Sequence, residues 1–321
     1  NFDENETFQT IGRTSYRQSE IRGRVLVGGE CVHEAQIYTM APGESMTQYG
    51  KELRSLIQKI RRKYPGKEAP HIPVLPQEFL SSTMEGYADD GSCYRVGLEM
   101  EEVILKGFDR AAGLFVIIGN TGTGKTNMLR VLADQAVSRG RACLFDSGGM
   151  EMYDYRQLTD VLYVEGKKEA DLFMEIMSQE LEARKKFLKE KLGELQGASP
   201  KKLVEETPFC TILIDDLDDF SGSMKPDLEK IASLIKEGIT LGITCIITVH
   251  AAKSRGMGTM DRLIRQAAEG LVLSSQGVVP IFPVLGIREI PELGEGVLFK
   301  NGVGKRLLLP RHTDRTLTGK R

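Results

Sequence analysis

The chain carries Gly119-Asn120-Thr121-Gly122-Thr123-Gly124-Lys125-Thr126 directly after the apolar run Leu114-Phe115-Val116-Ile117-Ile118. This is a complete G-x-x-x-x-G-K-T sequence, and its setting narrows the fold sharply. A backbone that wraps a phosphate needs glycines where it turns through positive φ or passes close to the ligand. It also needs a buried strand in front to aim it. The helix behind adds N-terminal N–H groups and the positive end of a dipole. The stretch from Thr126 to Ser138, with Leu129, Leu132 and Ala136 on one face, reads as that helix. Lys125 offers a cation to the β- and γ-phosphates, and the Thr126 hydroxyl offers a ligand to Mg²⁺. Gly119 to Thr126, with Asn127 beside them in the first helical turn, form the expected ATP-binding set.

A phosphate loop needs an acid on a second strand. Thr211-Ile212-Leu213-Ile214 is an apolar run that ends in Asp215-Asp216. Asp215 is placed to hold Mg²⁺ beside Thr126, directly or through water. Asp216 stands where many ATPases have a glutamate that polarises the attacking water. Its side chain is one methylene shorter, so slow or conditional hydrolysis is expected. Asp218 and Asp219 read as solvated charges or as caps of the next segment. A third run, Ile243 to Val249, ends in His250, at the carboxyl end where ligands sit in a doubly wound sheet. His250 is either a sensor of the γ-phosphate or a satisfied strand-end histidine. Arg255, Arg262 and Arg265 follow, each a candidate arginine finger or a solvated helix residue. Met128, Met174, Met177 and Met260 sit at helical spacing and read as core or as a soft binding surface.

The remaining strand candidates are Ala142–Phe145 and Gly270–Leu273. Helical stretches at 168–195 and 226–238 lie between the runs. Strands alternating with helices predict an α/β P-loop NTPase of the RecA/FtsK-like class, with a mostly parallel sheet flanked by helices on both faces. Short apolar runs at 94–105 read as edge strands. Ahead of the core, residues 44–64 read as a helix, with Tyr49, Leu53, Leu56, Ile57 and Ile60 at three- and four-residue spacing. Pro70, Pro73 and Pro76 then mark an extended connector.

Two hairpins bracket this body. Arg24–Val27 and Ala35–Tyr38 flank Gly28-Gly29, and Gly296–Phe299 and Arg306–Leu309 flank Asn301-Gly302. Their likeness suggests one terminal element occurring twice. Residues 1–43 then read as the tail of a preceding module or a linker, and 44–321 as the ATPase domain. The first residue is Asn1 rather than Met, so the chain reads as a piece of something longer.

Charge narrows the partners. There are 43 basic and 45 acidic side chains, for a formal net charge of -2, which argues against a strongly basic nucleic-acid surface. The five cysteines form no C-x-x-C pair, so neither a zinc site nor a disulfide framework is expected. Cys143, Cys210 and Cys245 lie in apolar runs, as small buried hydrophobes in a reducing, cytosolic setting. No run approaches the roughly 18 apolar residues a membrane helix needs.

The order of Val96-Gly97-Leu98-Glu99, the phosphate loop, the long helix, Ile214-Asp215-Asp216 and Gly242 to His250 resembles the FtsK/SpoIIIE-type translocase ATPases. The repeated terminal element, the Asp-Asp ending and the lack of a winged-helix segment make residues 20–312 similar to the last ATPase module of the type VII secretion ATPases, EssC/EccC. That resemblance implies tandem ATPase modules on a membrane-anchored chain at the cytoplasmic face, hexameric in the full system. It implies export of small helical WXG-type proteins that dock on the C-terminal module. ATP on Gly119–Thr126 and Mg²⁺ on Asp215 are implied with it. FtsK-type motors have Glu at the position of Asp216 and Gln at that of His250, and both departures weaken the case for robust hydrolysis. A DNA translocase motor and a non-hydrolysing, nucleotide-gated docking platform remain the alternatives.

Overall fold

The computed structural model describes residues 23–27, 32–38, 40–42, 45–65, 73–146, 149–194, 200–251, 258–273, 291–300 and 302–313. The chain divides into two compact units, Asn1–Ile72 and Pro73–Arg321. In the first, β1 (Arg24–Val27) and β2 (His33–Gln36) form the expected antiparallel hairpin, with Arg24 opposite Gln36. Its second strand starts two residues earlier than the apolar pattern suggests. The Gly28-Gly29 link lies outside the described residues. Helix α1 (Met46–Lys63) starts at Ser45, whose hydroxyl accepts the Gln48 N–H at 3.2 Å. Arg61, Arg62 and Lys63 occupy its last turn, where cations offset the helix dipole. The division of the chain falls after this helix, whereas the sequence reading grouped it with the larger unit.

The second unit is built on one ten-stranded sheet. Its strands are β3 (Tyr94–Glu99), β4 (Leu105–Phe108), β5 (Leu114–Gly119), β6 (Arg141–Asp146), β7 (Val161–Val164), β8 (Cys210–Asp215), β9 (Thr244–His250), β10 (Glu269–Leu273), β11 (Glu295–Lys300) and β12 (Val303–Leu308). Their order is β4-β3-β12-β11-β10-β5-β9-β8-β6-β7. The six strands from β10 to β7 pair in parallel. The C-terminal hairpin and β3–β4 extend that sheet with antiparallel neighbours. Gly302, at φ 77°, supplies the left-handed residue of the turn between β11 and β12.

Strand β5, which aims the phosphate loop, lies between β10 and β9 and is buried along its length. Parallel strands in such a position have no solvent face, which is why the run is continuously apolar. Alternate residues still serve different layers. Leu114, Val116 and Ile118 pack with Phe173, Met174 and Met177 of α3 (Lys167–Glu194) and with Ile231 and Ile235. Phe115 and Ile117 pack on the other face with Met128, Leu129 and Leu132 of α2 (Lys125–Arg139). The short helices α4 (Pro200–Glu205), α5 (Leu217–Ser223) and α7 (Thr259–Ile264), with α6 (Leu228–Thr240), complete the helical layers. Phe115 also ends a stack of three rings, with Phe108 centred 3.9 Å away and Tyr94 4.8 Å beyond Phe108. Stacked aromatic pairs of this kind hold the antiparallel extension to the parallel core.

At the amino end of the parallel strands two buried guanidinium groups act as staples. Arg110 donates to the carbonyls of Glu205, Thr207, Pro208 and Gly242. Arg184, 2% exposed, donates to Glu180 and to the carbonyls of Pro208 and Leu241. Both reach the Thr207 hydroxyl. They tie α3 and the loops before β8 and β9 together at the end opposite the phosphate loop. Burial, then the neighbouring Arg184 charge, pushes the Arg110 pKa below its ordinary value.

Candidate functional site

Gly119 is the last residue of β5, and α2 begins at Lys125, so the five residues between form the loop. Gly122 and Gly124 take φ values of 78° and 95°, the left-handed region that disfavours other residues. Gly119 has a different reason to be glycine. A Cβ there would sit 2.3 Å from the Thr123 hydroxyl and 3.1 Å from Leu273 Cβ. The Asn120 carbonyl gathers the loop, accepting the Thr123 hydroxyl at 2.8 Å and Lys125 Nζ at 3.1 Å. Lys125 therefore lies back over the loop it serves.

Thr126 Oγ1 donates to Asp215 Oδ2 at 3.2 Å. Two neighbouring oxygens on one octahedral Mg²⁺, each about 2.1 Å from the ion, lie roughly 3.0 Å apart. The hydroxyl and carboxylate present this spacing, so the residues fit the ion their sequence implies. Asp215 is oriented from its other side by Thr248, a fully buried residue of β9 whose hydroxyl donates to Oδ1 at 2.8 Å. Burial raises the Asp215 pKa, the bonds from Thr248 and Thr126 lower it, and the charges of Asp146 and Glu151 raise it further. The net shift is upward. A carboxylate held at a cost in charge is suited to a cation.

Asp216 has a second task. It is the N-cap of α5, and its Oδ1 accepts the N–H groups of Asp218 at 3.0 Å and Asp219 at 3.3 Å. Its backbone sits at φ 48°, and its own N–H donates to the Thr248 hydroxyl at 2.8 Å. The cap is thus Asp216 itself rather than Asp218 or Asp219. Asp216→Ala is expected to lower stability by about 1–2 kcal/mol through loss of the cap. A denaturant midpoint equal to the parent's speaks against this role.

His250 closes β9, and its Cα lies opposite that of Gly119, so strand pairing brings it to the mouth of the phosphate loop. Asn127 is drawn elsewhere. Its amide donates to the Pro310 carbonyl at 2.9 Å and its carbonyl accepts the His312 N–H at 2.8 Å. The side chain fastens the C-terminal segment to α2, leaving its backbone for any phosphate contact. Arg262 lies in α7 and Arg265 caps it, while Arg255 is outside the described residues. Met128, Met174, Met177 and Met260 are buried core. Cys143, Cys210 and Cys245 are buried free thiols, and burial pushes Cys210 up to about 11.

Thr248 and Asp146 belong to this region and were not singled out from sequence. Asp146 ends β6, is 5% exposed, and lies in register with Asp215. Its signal was available, since an apolar run that ends in an acid recurs at 142–146 as at 211–215.

The sheet order and the loop have the arrangement of the P-loop NTPase fold of the RecA/FtsK-like class. The relatives place the chain beside the type VII secretion ATPases. It is 23% identical to the ESX secretion system protein YukB of Bacillus subtilis over 96% of its length. It is 21% identical to the ESX secretion system protein EccC of Geobacillus thermodenitrificans, again over 96%. The chain spans 21% of each of those proteins, about a fifth of their length. Among solved structures, the cytoplasmic domain of EssC aligns with 97% of the chain and 63% of its own, at 20% identity and a TM-score of 0.69. Thermomonospora curvata EccC (ATPases 2 and 3) in complex with a signal sequence peptide aligns with 92% of the chain and 54% of its own, at 17% identity and a TM-score of 0.57. No family model matches. The resemblance to EssC/EccC inferred from motif order is borne out by these relatives.

Proposed function

We propose that this chain is a Mg·ATP-binding module of a type VII protein-secretion motor, in which residues 1–43 are the tail of a preceding module. The observation that carries this reading is the phosphate loop with Thr126 3.2 Å from Asp215, in a chain similar over 96% of its length to ESX secretion proteins. ATP is held by Gly119–Thr126, its β- and γ-phosphates by Lys125, and the metal by Thr126 and Asp215. Mg²⁺, when bound, neutralises phosphate charge. Thr248 keeps the Asp215 carboxylate aimed, and the loop amides orient the phosphates. Small helical WXG-type secreted proteins are the expected cargo, neighbouring modules and a hexamer the expected assembly, and the cytoplasmic face of the membrane the expected place. Among the described residues no helix is long and apolar enough to cross a membrane. The signal-peptide complex of an EccC supports a peptide-docking role. Asp216, occupied as a helix cap, favours holding nucleotide over rapid turnover.

One assay separates the readings. ATP binding and hydrolysis are measured with a candidate secreted helical-hairpin protein bearing its C-terminal segment, with duplex DNA, and with neither. Stimulation by the protein supports the motor, and stimulation by DNA selects a translocase. Tight binding without turnover under every condition selects the docking platform.

A further inference from the structure

Asp146 and Asp215 end neighbouring parallel strands in direct register, so both side chains leave the same face of the sheet, the face covered by α2. Neither pairs with a cation among the described residues. Asp146 Oδ2 accepts the Tyr163 hydroxyl at 2.7 Å and the Met152 N–H at 3.1 Å. Burial and these contacts with Asp146 raise the Tyr163 phenol, which keeps it a donor. Asp215 meets only hydroxyls, from Thr126 and Thr248. A buried carboxylate beside a half-buried one, with no cation between them, is costly, and a divalent ion is the usual remedy. The phosphate loop and the Thr126 hydroxyl are the groups that would hold that ion beside Asp215.

We infer that Asp146 is a second carboxylate of the magnesium site, reached through the ion's water shell, with Tyr163 as its positioning residue. The inference rests on the nucleotide-binding reading above and deepens it. Mg²⁺ keeps several waters when it is held by one or two carboxylates and phosphate, so an acid one strand away has ligands to hold. The Met152 contact adds a consequence. It ties the segment after β6 to the same carboxylate, and Arg130 fastens that segment to α2 through Asp154 at 2.7 Å. Metal occupancy is thereby linked to the 149–157 segment.

The test is a Mg²⁺ titration of fluorescent-ATP affinity on the full chain. Asp146→Asn keeps an acceptor for Tyr163 and Met152 while removing the charge. It is expected to raise the half-maximal Mg²⁺ concentration about tenfold, as loss of an outer-shell partner does, with affinity in EDTA unchanged. Tyr163→Phe leaves the charge but frees the carboxylate, and a smaller rise is expected. A Mg²⁺ midpoint equal to the parent's in the folded Asp146→Asn chain overturns the assignment. If that variant does not fold, an unchanged midpoint in Tyr163→Phe does so. Absence of any nucleotide binding by the parent would instead overturn the nucleotide-binding reading itself.

Discussion

Lys125→Ala is expected to lower ATP affinity by about 100-fold while leaving the fold intact. The ammonium group is the one side-chain cation within the phosphate loop, and it is held over the loop by the Asn120 carbonyl at 3.1 Å. In the complex it exchanges that neutral acceptor for phosphate oxygens. A hydrogen bond between charged groups contributes about 1.5–3 kcal/mol, and each 1.4 kcal/mol is roughly tenfold in affinity. Alanine is the best helix former, so α2 still starts at this position. The loop keeps its shape through Gly122, Gly124 and the bond from Thr123 to Asn120. Titration with a fluorescent ATP analogue, alongside a melting curve, checks the result. An unchanged affinity in a folded variant would remove Gly119–Thr126 from the nucleotide site.

Much of the parallel core could be read from sequence because each buried strand is a continuous apolar run. The runs at 114–118, 211–214 and 243–249 became β5, β8 and β9, each reaching one residue further at its carboxyl end, to Gly119, Asp215 and His250. Those end residues matter most here, since Asp146 and Asp215 are both last in their strands. Strand β7 was not assigned, because four residues, Val161–Val164, carry too short a pattern to stand out. The hairpin at Asn301-Gly302 was legible from its turn chemistry, but not its union with the ATPase sheet, where β11 pairs with β10 and β12 with β3, Leu307 opposite Glu99 far back along the chain. Asn127 was misleading for the same reason. Its sequence neighbours are the phosphate loop, but its side-chain partners, Pro310 and His312, lie far along the chain. Asp216 could have been recognised as a cap, since an acid directly before a helical stretch is an N-cap signature.

Asp215→Asn is expected to abolish the Mg²⁺-dependent gain in ATP affinity and, without nucleotide, to stabilise the chain at neutral pH. The two effects share one cause. Burial raises the Asp215 pKa, with the nearby Asp146 and Glu151 charges adding to it, so ionising the folded chain costs more than ionising the unfolded one. That cost is absent at low pH, where the acid is protonated in both states. It develops as pH rises through the ordinary carboxylate range and is complete above the raised folded value. Asparagine carries no such cost and can still accept from Thr248 and donate to the Thr126 oxygen. The melting-temperature difference between variant and parent should therefore be small near pH 3 and grow toward neutrality. A gain on the order of 1 kcal/mol corresponds to about 2–4 °C for a unit this size. Adding Mg·ATP should reverse the ranking, because only the parent binds it tightly and gains stability by mass action. A parent more stable than the variant at neutral pH without nucleotide would mean that Asp215 is a structural acid, satisfied by its two threonines. The reversal on adding Mg·ATP would instead show a site that gives up stability when empty and regains it on binding the ion.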